Sequence, residues 1–438
     1  MSVYLHDIPL SEARSIFHQA LRAAGYYGPL SAEEIPLDEA AAGRVLAEPV
    51  WARISSPHYH ASAMDGFAVR AGDTLGAAPS APVSLKVADQ AVYLDTGDPL
   101  PAWADAVIPI ENVEALGEDG QASAVPRRPA CIRIRSAVTP WSHVRPMGED
   151  IVATELILPP GRLLQPVDLG AIAAAGASHI QVTRRPRVAI LPTGTELVTI
   201  GSPLHPGDII EFNSIVLAAQ VNRWGGMAQR FPISKDDFDA IVQRVCDAAC
   251  ASDLVLLNAG SSAGSEDFSA QVIEKLGRVL VHGVAVRPGH PVILGMVDRE
   301  DGTQIPIIGV PGYPVSAALT GEIFVEPLLA LWLGLDRTES RPVVRARLTR
   351  KVNSPQGDDD FLRVAVGAVN GRVLAAPLAR GAGMINSLVH ADGIVVIPRG
   401  TQGLEAGAEV TVNLYRTLDE IHQTIFSIGS HDLTLDVL

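Results

Sequence analysis

The spacing of apolar positions changes character repeatedly along the chain. "SEARSIFHQALRAAG", residues 11–25, repeats apolar residues every three or four positions and stops at a glycine, which predicts an amphipathic helix. "PLDEAAAGRVLAEPV", residues 36–50, predicts a second, short helix. From about 54 to 146 the apolar runs shrink to strand length and are broken by Gly, Pro and Asp, as in "VSLKVADQAVYLDTGDPLP", so a β-rich module is inserted here. "ILPPGRLLQPVDLGAIAAAGASHIQV" returns to helix. Between Val188 and Gly334 apolar runs such as "RVAIL" and "LVLLN" alternate with helical stretches, the pattern of a doubly wound, mostly parallel sheet covered on both faces. From Arg341 to about Arg416 short strands and glycine turns follow one another without helices.

The fold class expected is therefore α/β plus β, in several domains. A discontinuous helical and linker domain takes 1–56 and 147–184, and the inserted β-rich domain takes 57–146. An α/β domain follows over 185–336, then a small C-terminal β domain over 337–418, and 419–438 reads as a tail that opens a further domain.

Composition narrows the function classes. With 438 residues, 47% hydrophobic and 19% charged, the chain has the composition of a folded globular protein. Its net charge of −15 is spread along the sequence, which gives no electrostatic reason to expect nucleic acid or an anionic membrane surface as partner. Any anionic ligand must be held by a local site. The N-terminus lacks a secretory pattern and no apolar stretch approaches the ~20 residues of a membrane helix, so a cytoplasmic protein that does not span a bilayer is expected. Cys131, Cys246 and Cys250 form no disulfide framework, and the last two are expected as small buried apolar residues of a helix.

The chemistry concentrates where strands of the α/β region end. "VAIL" runs into Pro192, Thr193, Gly194, Thr195 and Glu196. "VLLN" runs into Ala259, Gly260, Ser261, Ser262, Ala263, Gly264, Ser265, Glu266 and Asp267. "PIIGV" runs into Pro311, Gly312, Tyr313, Pro314, Val315 and Ser316. In open parallel sheets ligands sit outside the carboxyl ends of the strands, and small residues let backbone N–H groups approach a phosphate or oxyanion. Acids beside a phosphate need a cation between them, and Glu196, Asp236 and Asp267 offer the hard oxygens that Mg²⁺ prefers. For a single turn, an N-cap for the helix "FSAQVIEKLG" explains Glu266 or Asp267 equally well. "GVAVRPGHPVILG" adds Arg287 and His290, held apart by a Pro-Gly turn and able to face an anion. In the β module, Asp65 precedes Gly66, a pair usually found in turns, and His58 and His60 would need a third ligand to hold a metal. No Gly-x-Gly-x-x-Gly follows any strand, which argues against a dinucleotide-dependent dehydrogenase.

Taken in order, "SAMDGFAVR", "TGDPLPAWADAVIPIE", "GED" at 148–150, "LPTGTEL", "GSSAGSEDF", "RPGHP" and "VPGYPVSAAL" resemble the MoeA family, the molybdopterin molybdenumtransferases that include the gephyrin E domain. The resemblance covers essentially the whole chain. It implies an elongated homodimer with a site shared between subunits, and a reaction in which adenylated molybdopterin and molybdate give molybdenum cofactor and AMP with Mg²⁺. Asp65, Thr96 and Asp150 match family positions lining the site from the first two domains, and Glu196, Asp236 and Asp267 match its acids. Pro311, Pro314 and Ser316 match the phosphate-side turn, and Arg363 in "DDDFLRV" matches an arginine from the C-terminal domain. The departures are Arg287 and His290 where the family has lysines, Tyr313 where it has Asn, "AGSSAG" where it has "GGVSVG", and Ala382 where serine is common. These leave the oxyanion open between molybdate and tungstate, and they favour the alternative of a catalytically weak molybdopterin-binding or scaffolding protein. The clustered acids argue for the enzyme, because a binder has little use for carboxylates that repel one another. "SIGSHDLTLDVL" resembles the opening of a fused domain similar to periplasmic and LysR-type substrate-binding domains.

Overall fold

The computed structural model describes residues 8–258, 268–335 and 341–423. They divide into two compact units, 33–182 and the remainder of the chain.

Within 33–182, two three-stranded antiparallel sheets make the β-rich part. One has the order Ala91–Leu94, Gly66–Val69, Ala106–Pro109, and the other Val83–Lys86, Cys131–Ile134, Val113–Leu116. Phe67, Val69, Ala91, Ala106 and Ile108 of the first sheet share a core with Leu85, Ile132 and Ile134 of the second. Gly66 opens a strand rather than completing a turn: a Cβ there would stand 2.1 Å from the Ile108 carbonyl oxygen. A second core gathers Leu46, Val50, Leu164, Ile180 and Val182 around Ile172 of the helix Pro166–Ala174. That helix begins with proline and a capping box made by Gln165 and Asp168, which together satisfy two N-terminal donors.

The helix expected over 36–50 does not form. Only a 3₁₀ turn, Glu39–Ala41, is present, held by Asp38, whose side chain accepts from the Ala40 N–H. Gly43 then takes a positive φ of 75°, and Val45 and Leu46 bridge to Leu163 and Val182. Strand-like pairing has outweighed the helix propensity of the alanine run.

In the other unit, helix α1 (Leu10–Ala23) buries Ala13, Phe17 and Leu21, spaced by four residues, in the core of the α/β domain. The sheet of this domain is formed by β1 (Arg187–Pro192), β2 (Met227–Arg230), β3 (Leu254–Asn258), β4 (Gly277–His282), β5 (Ile293–Asp298) and β6 (Gln304–Val310), in the order β2-β1-β3-β6-β5-β4. The pairs β1/β2, β1/β3 and β3/β6 are parallel, whereas β6/β5 and β5/β4 are antiparallel. Helices cover both faces. On one side α2 (Asn213–Arg223), α5 (Pro314–Thr320) and α6 (Glu326–Leu333) pack with α1, and on the other α3 (Phe238–Ala251) and α4 (Phe268–Leu276). Every residue of β3 is buried, as a central strand covered on both faces requires.

Two expectations change here. The run Pro314–Leu333 is 20 residues long and apolar enough to cross a membrane by length and composition, contrary to the sequence reading, but 72% of its window is buried inside the protein. Trp332, Leu329 and Val325 of this run are core residues, and Trp332 Nε1 donates to the Tyr26 carbonyl at 2.7 Å. Cys246 is half-buried and Cys250 exposed, because the buried stripe of α3 runs through Ile241, Val245, Ala248 and Ala249. Burial raises the Cys246 thiol pKa, with the neighbouring Cys250 adding to it.

The C-terminal part comprises β7 (Val343–Leu348), β8 (Asp359–Val369), β9 (Arg372–Pro377), β10 (Gly393–Ile397) and β11 (Glu409–Leu414). Pairing runs β8-β9-β7-β11-β10 and returns from β10 to β8, closing a small barrel around Leu362, Val364, Val366, Val395 and Val412. Closure removes the free edges that an open sheet would expose. The short strand Val286–Arg287 of the α/β domain joins β8 in parallel, opposite Asp359 and Asp360.

Candidate functional site

The three strands whose turns carry the predicted chemistry, β1, β3 and β6, are neighbours in the sheet and run parallel, so all three end on one edge. After β1, Thr193 is buried and donates its N–H to the Asn258 carbonyl at 2.9 Å. Gly194 follows with φ 156°, and a Cβ there would stand 2.8 Å from Leu197 Cγ and 3.1 Å from both Glu196 carboxylate oxygens. Glycine is required by this close approach, and Glu196 lies folded over it. The Thr195 N–H donates to Asp236 Oδ2 at 2.9 Å, while the Asp236 N–H donates to Thr195 Oγ1 at 3.2 Å. Glu196 and Asp236 are therefore brought to the same turn. The turn after β3, with Gly260, Ser261, Ser262, Gly264 and Asp267, lies outside the described residues.

At the end of β6, Pro311 and Ser316 are buried, Gly312 and Pro314 partly so, and Tyr313 is 49% exposed. A cavity of about 260 Å³ opens here, walled by Leu197, Ile209, Phe212, Tyr313 and Pro314 with Asn213 and Asn258 as its amides. Its apolar walls and few polar side chains, the two amides and the buried Glu211, suit a partly polar ligand.

Arg287 and His290 are drawn to a common acid that sequence reasoning missed. Arg287 Nε lies 3.5 Å from Asp358 Oδ2 and His290 Nδ1 lies 4.0 Å from Asp358 Oδ1. Their turn sits against α5, because a Cβ on Gly289 would stand 4.0 Å from the Ser316 carbonyl oxygen. Arg363 is 2% exposed, and its Nη2 donates to the Ala379 carbonyl at 2.8 Å, so it supports the loop after β9 from behind. Its Nε is buried with no hydrogen-bond partner among the described residues, and burial lowers the guanidinium pKa, against the pull of Asp360. Farther along that loop, the Ala382 carbonyl accepts the Val315 N–H at 3.0 Å, and Gly383 abuts the Tyr313 ring. Beside it Asp360 is buried, accepting from Ser354 Oγ at 3.0 Å and pairing with Arg380.

In the unit 33–182, Asp65 and Thr96 meet directly. The Thr96 N–H and Oγ1 donate to Asp65 Oδ1 at 2.9 and 2.8 Å, and Arg127 lies 3.6 Å from Asp65 Oδ2. These bonds, the backbone one foremost, hold the Asp65 carboxyl below its usual range. Asp150 is exposed, and its N–H donates to the Ser56 carbonyl. His60 is occupied otherwise than as a ligand: Nδ1 accepts the Met147 N–H at 2.9 Å and its ring meets Trp141 edge-on.

Mg²⁺ needs only one or two carboxylates when substrate phosphates and water complete its shell. Among the described residues no three His, Cys, Asp or Glu converge. Glu196 and Asp236, which meet at the turn after β1, are the carboxylates that would hold such an ion.

The other residues the sequence did not flag are Asn213, Asn258 and Glu211. Glu211 is buried and accepts from Ser214 N–H at 2.7 Å and Ser214 Oγ at 2.6 Å, and Arg230 Nε donates to the same hydroxyl at 2.9 Å. A lone Asn at a strand end has no periodic signature. Only an amide-accepting neighbour in space marks it.

Family models match most of the chain in sequence order. "MoeA N-terminal region (domain I and II)" matches residues 8–176, "Probable molybdopterin binding domain" 189–331, and "MoeA C-terminal region (domain IV)" 345–415. "Molybdopterin molybdenumtransferase 2" of Mycobacterium tuberculosis is 36% identical over 403 residues, 86% of this chain and 94% of the relative. "Molybdopterin molybdenumtransferase" of Bacillus subtilis is 30% identical over 390 residues, 85% of this chain and 87% of the relative. Among solved structures, a molybdopterin biosynthesis MoeA protein of Pyrococcus horikoshii aligns with a TM-score of 0.75 and 32% identity, covering 94% of this chain and all of that one.

Proposed function

Because the chain belongs to the MoeA family and is a molybdopterin molybdenumtransferase, we propose that it inserts molybdate into adenylated molybdopterin at the edge where β1, β3 and β6 end, releasing AMP. The observation that carries this reading is the joint ending of these three parallel strands beside one cavity, lined by Leu197 after β1, Asn258 of β3 and Tyr313 after β6, with Glu196 and Asp236 at the turn that follows β1. The apolar walls would hold the pterin ring. Turn N–H groups would face its phosphates, and Glu196 and Asp236 would hold Mg²⁺, which neutralises pyrophosphate charge when bound.

Arg287 and His290, both beside Asp358, are the basic side chains assigned to an oxyanion. In the reaction the bond between the adenylate phosphorus and the bridging oxygen of the pyrophosphate breaks, and the two dithiolene sulfurs replace two oxygens of molybdate, one of which completes the AMP phosphate while the other leaves as water carrying the two thiol protons. Asp65, held ionised by Thr96, and Asp150 belong to the same proposed machinery, completed in a homodimer. Asp267, Gly260, Ser261, Ser262 and Gly264, outside the described residues, are assigned to the same phosphate and Mg²⁺ site.

Substituting Glu196→Gln together with Asp236→Asn is expected to abolish AMP release while leaving pterin-nucleotide binding within about tenfold, measured by calorimetry without metal. Undiminished AMP release would sink the assignment of these acids. A second reading, a pterin-binding protein with weak catalysis, is favoured by the position of Asp358 within 4.0 Å of both Arg287 and His290. It predicts tight pterin binding with no AMP release from the unmodified protein.

A further inference from the structure

We infer that Asn213 and Asn258 are positioning residues for this reaction, a pair of amides, one buried and one half-buried, that sets the orientation of the 310–313 turn; the inference rests on the function proposed above. Asn258 ends β3 and is 2% exposed. Its Nδ2 donates to the carbonyls of Val310 and Pro311, each at 3.3 Å, and its Oδ1 lies 3.4 Å from Asn213 Nδ2. Asn213 Nδ2 also donates to the Gly312 carbonyl at 2.7 Å. The Asn258 backbone carbonyl in turn accepts from the Thr193 N–H at 2.9 Å and from Thr193 Oγ1 at 3.4 Å. The two side-chain amides join the ends of β3 and β6, and the Asn258 backbone carbonyl adds the end of β1.

Three consecutive carbonyls, 310 to 312, are turned toward these amides. Among the described residues the cis peptides are Ser56-Pro57 and Arg287-Pro288, so the peptides following Pro311 and Gly312 are trans. In a trans peptide the N–H points opposite to the C=O. Holding the Pro311 and Gly312 carbonyls inward therefore turns the Gly312 and Tyr313 N–H groups to the other side of the turn. Only an amide does this from position 258. A carboxylate would face two carbonyl oxygens without a donor, and an aliphatic side chain would leave buried carbonyls unsatisfied.

The reach of Asn213 is itself fixed. It stands between Glu211 and Ser214, and the Glu211 carboxylate grips Ser214 through both N–H and hydroxyl while Arg230 supports that hydroxyl. This clamp sets the first turn of α2, and with it the direction of the Asn213 side chain.

The test is Asn213→Ala and Asn213→Ser in the full chain, assayed for AMP release with adenylated molybdopterin, molybdate and Mg²⁺, with melting temperature and amide hydrogen exchange at Gly312 and Tyr313 recorded in parallel. Asn213 is half-buried, so both variants keep the core intact, and serine retains one donor. The expected result is a fall in kcat of roughly tenfold or more for Asn213→Ala with KM changed less. Faster exchange at Gly312 and Tyr313, and partial recovery in Asn213→Ser, complete the expected pattern. Unchanged kcat in an active, folded Asn213→Ala, or a loss that merely tracks the folded fraction, overturns the inference alone. Absence of AMP release from the unmodified protein overturns the functional reading and this inference with it.

Discussion

Asp65 and Thr96 show how a single residue pair sets a charge. Two donors from Thr96 converge on one oxygen of Asp65, and Arg127 stands off the other. The carboxylate is thereby favoured over the acid, so the interaction is present above the unfolded-state pKa of an aspartate and is lost as pH falls through the lower folded-state value. Thr96→Val removes the hydroxyl donor, and carbon-detected NMR titration should find the Asp65 pKa moved upward. An unmoved value would mean that the side-chain bond contributes nothing. At this scale the sequence was informative where residue type carries chemistry: the acids at 65, 196 and 236 and the basic side chains at 287 and 290 are legible from type and neighbours. Asn213, Asn258 and Asp358 were not, because each acquires its role from a partner dozens of residues away, and no local spacing encodes that. Arg363 was legible as a residue of interest, whereas its burial behind the 379–383 loop follows from the closure of the C-terminal barrel.

Elements were legible where the period was long and capped. Helix α1 and the alternation that builds the α/β sheet follow from periodicity, and β3 announces itself as a central strand by its unbroken apolar run. The 36–50 stretch misled because alanine-rich composition favours helix only until tertiary pairing offers more. The helical run from Pro314 to Leu333 contains a π segment, Gly321–Val325, whose Ile323 carbonyl accepts from Arg14 Nη2 at 3.1 Å. Glu322 of that segment and Glu326 both bind Arg341, at 3.0 and 3.1 Å, and the Tyr415 hydroxyl donates to Glu322 at 3.0 Å. This network fastens the C-terminal barrel to the α/β domain. Arg341→Ala leaves the largely enclosed Glu322 and the half-buried Glu326 without their cation and should destabilise the protein by about 1.5–3 kcal/mol in urea unfolding. Loss of less than about 0.5 kcal/mol would place the pair among ordinary surface ion pairs.

For the whole molecule, the proposed homodimer is supported by apolar side chains left uncovered in a single chain. Trp51 and Leu156 are register partners on adjacent short strands, 53% and 43% exposed, and Ile54 and Val152 nearby in sequence are 46% and 56% exposed. Trp51→Glu should shift the species seen by light scattering from dimer to monomer, and an unchanged mass would move the interface elsewhere. The central claim is catalytic, and one experiment addresses it directly: purified protein with adenylated molybdopterin and Mg²⁺, given molybdate in one arm and tungstate in the other, read by AMP release. The account predicts AMP release that depends on molybdate and is accompanied by metal bound to the dithiolene. Tight pterin binding with no AMP released by either oxyanion would contradict it and leave a binding protein in its place.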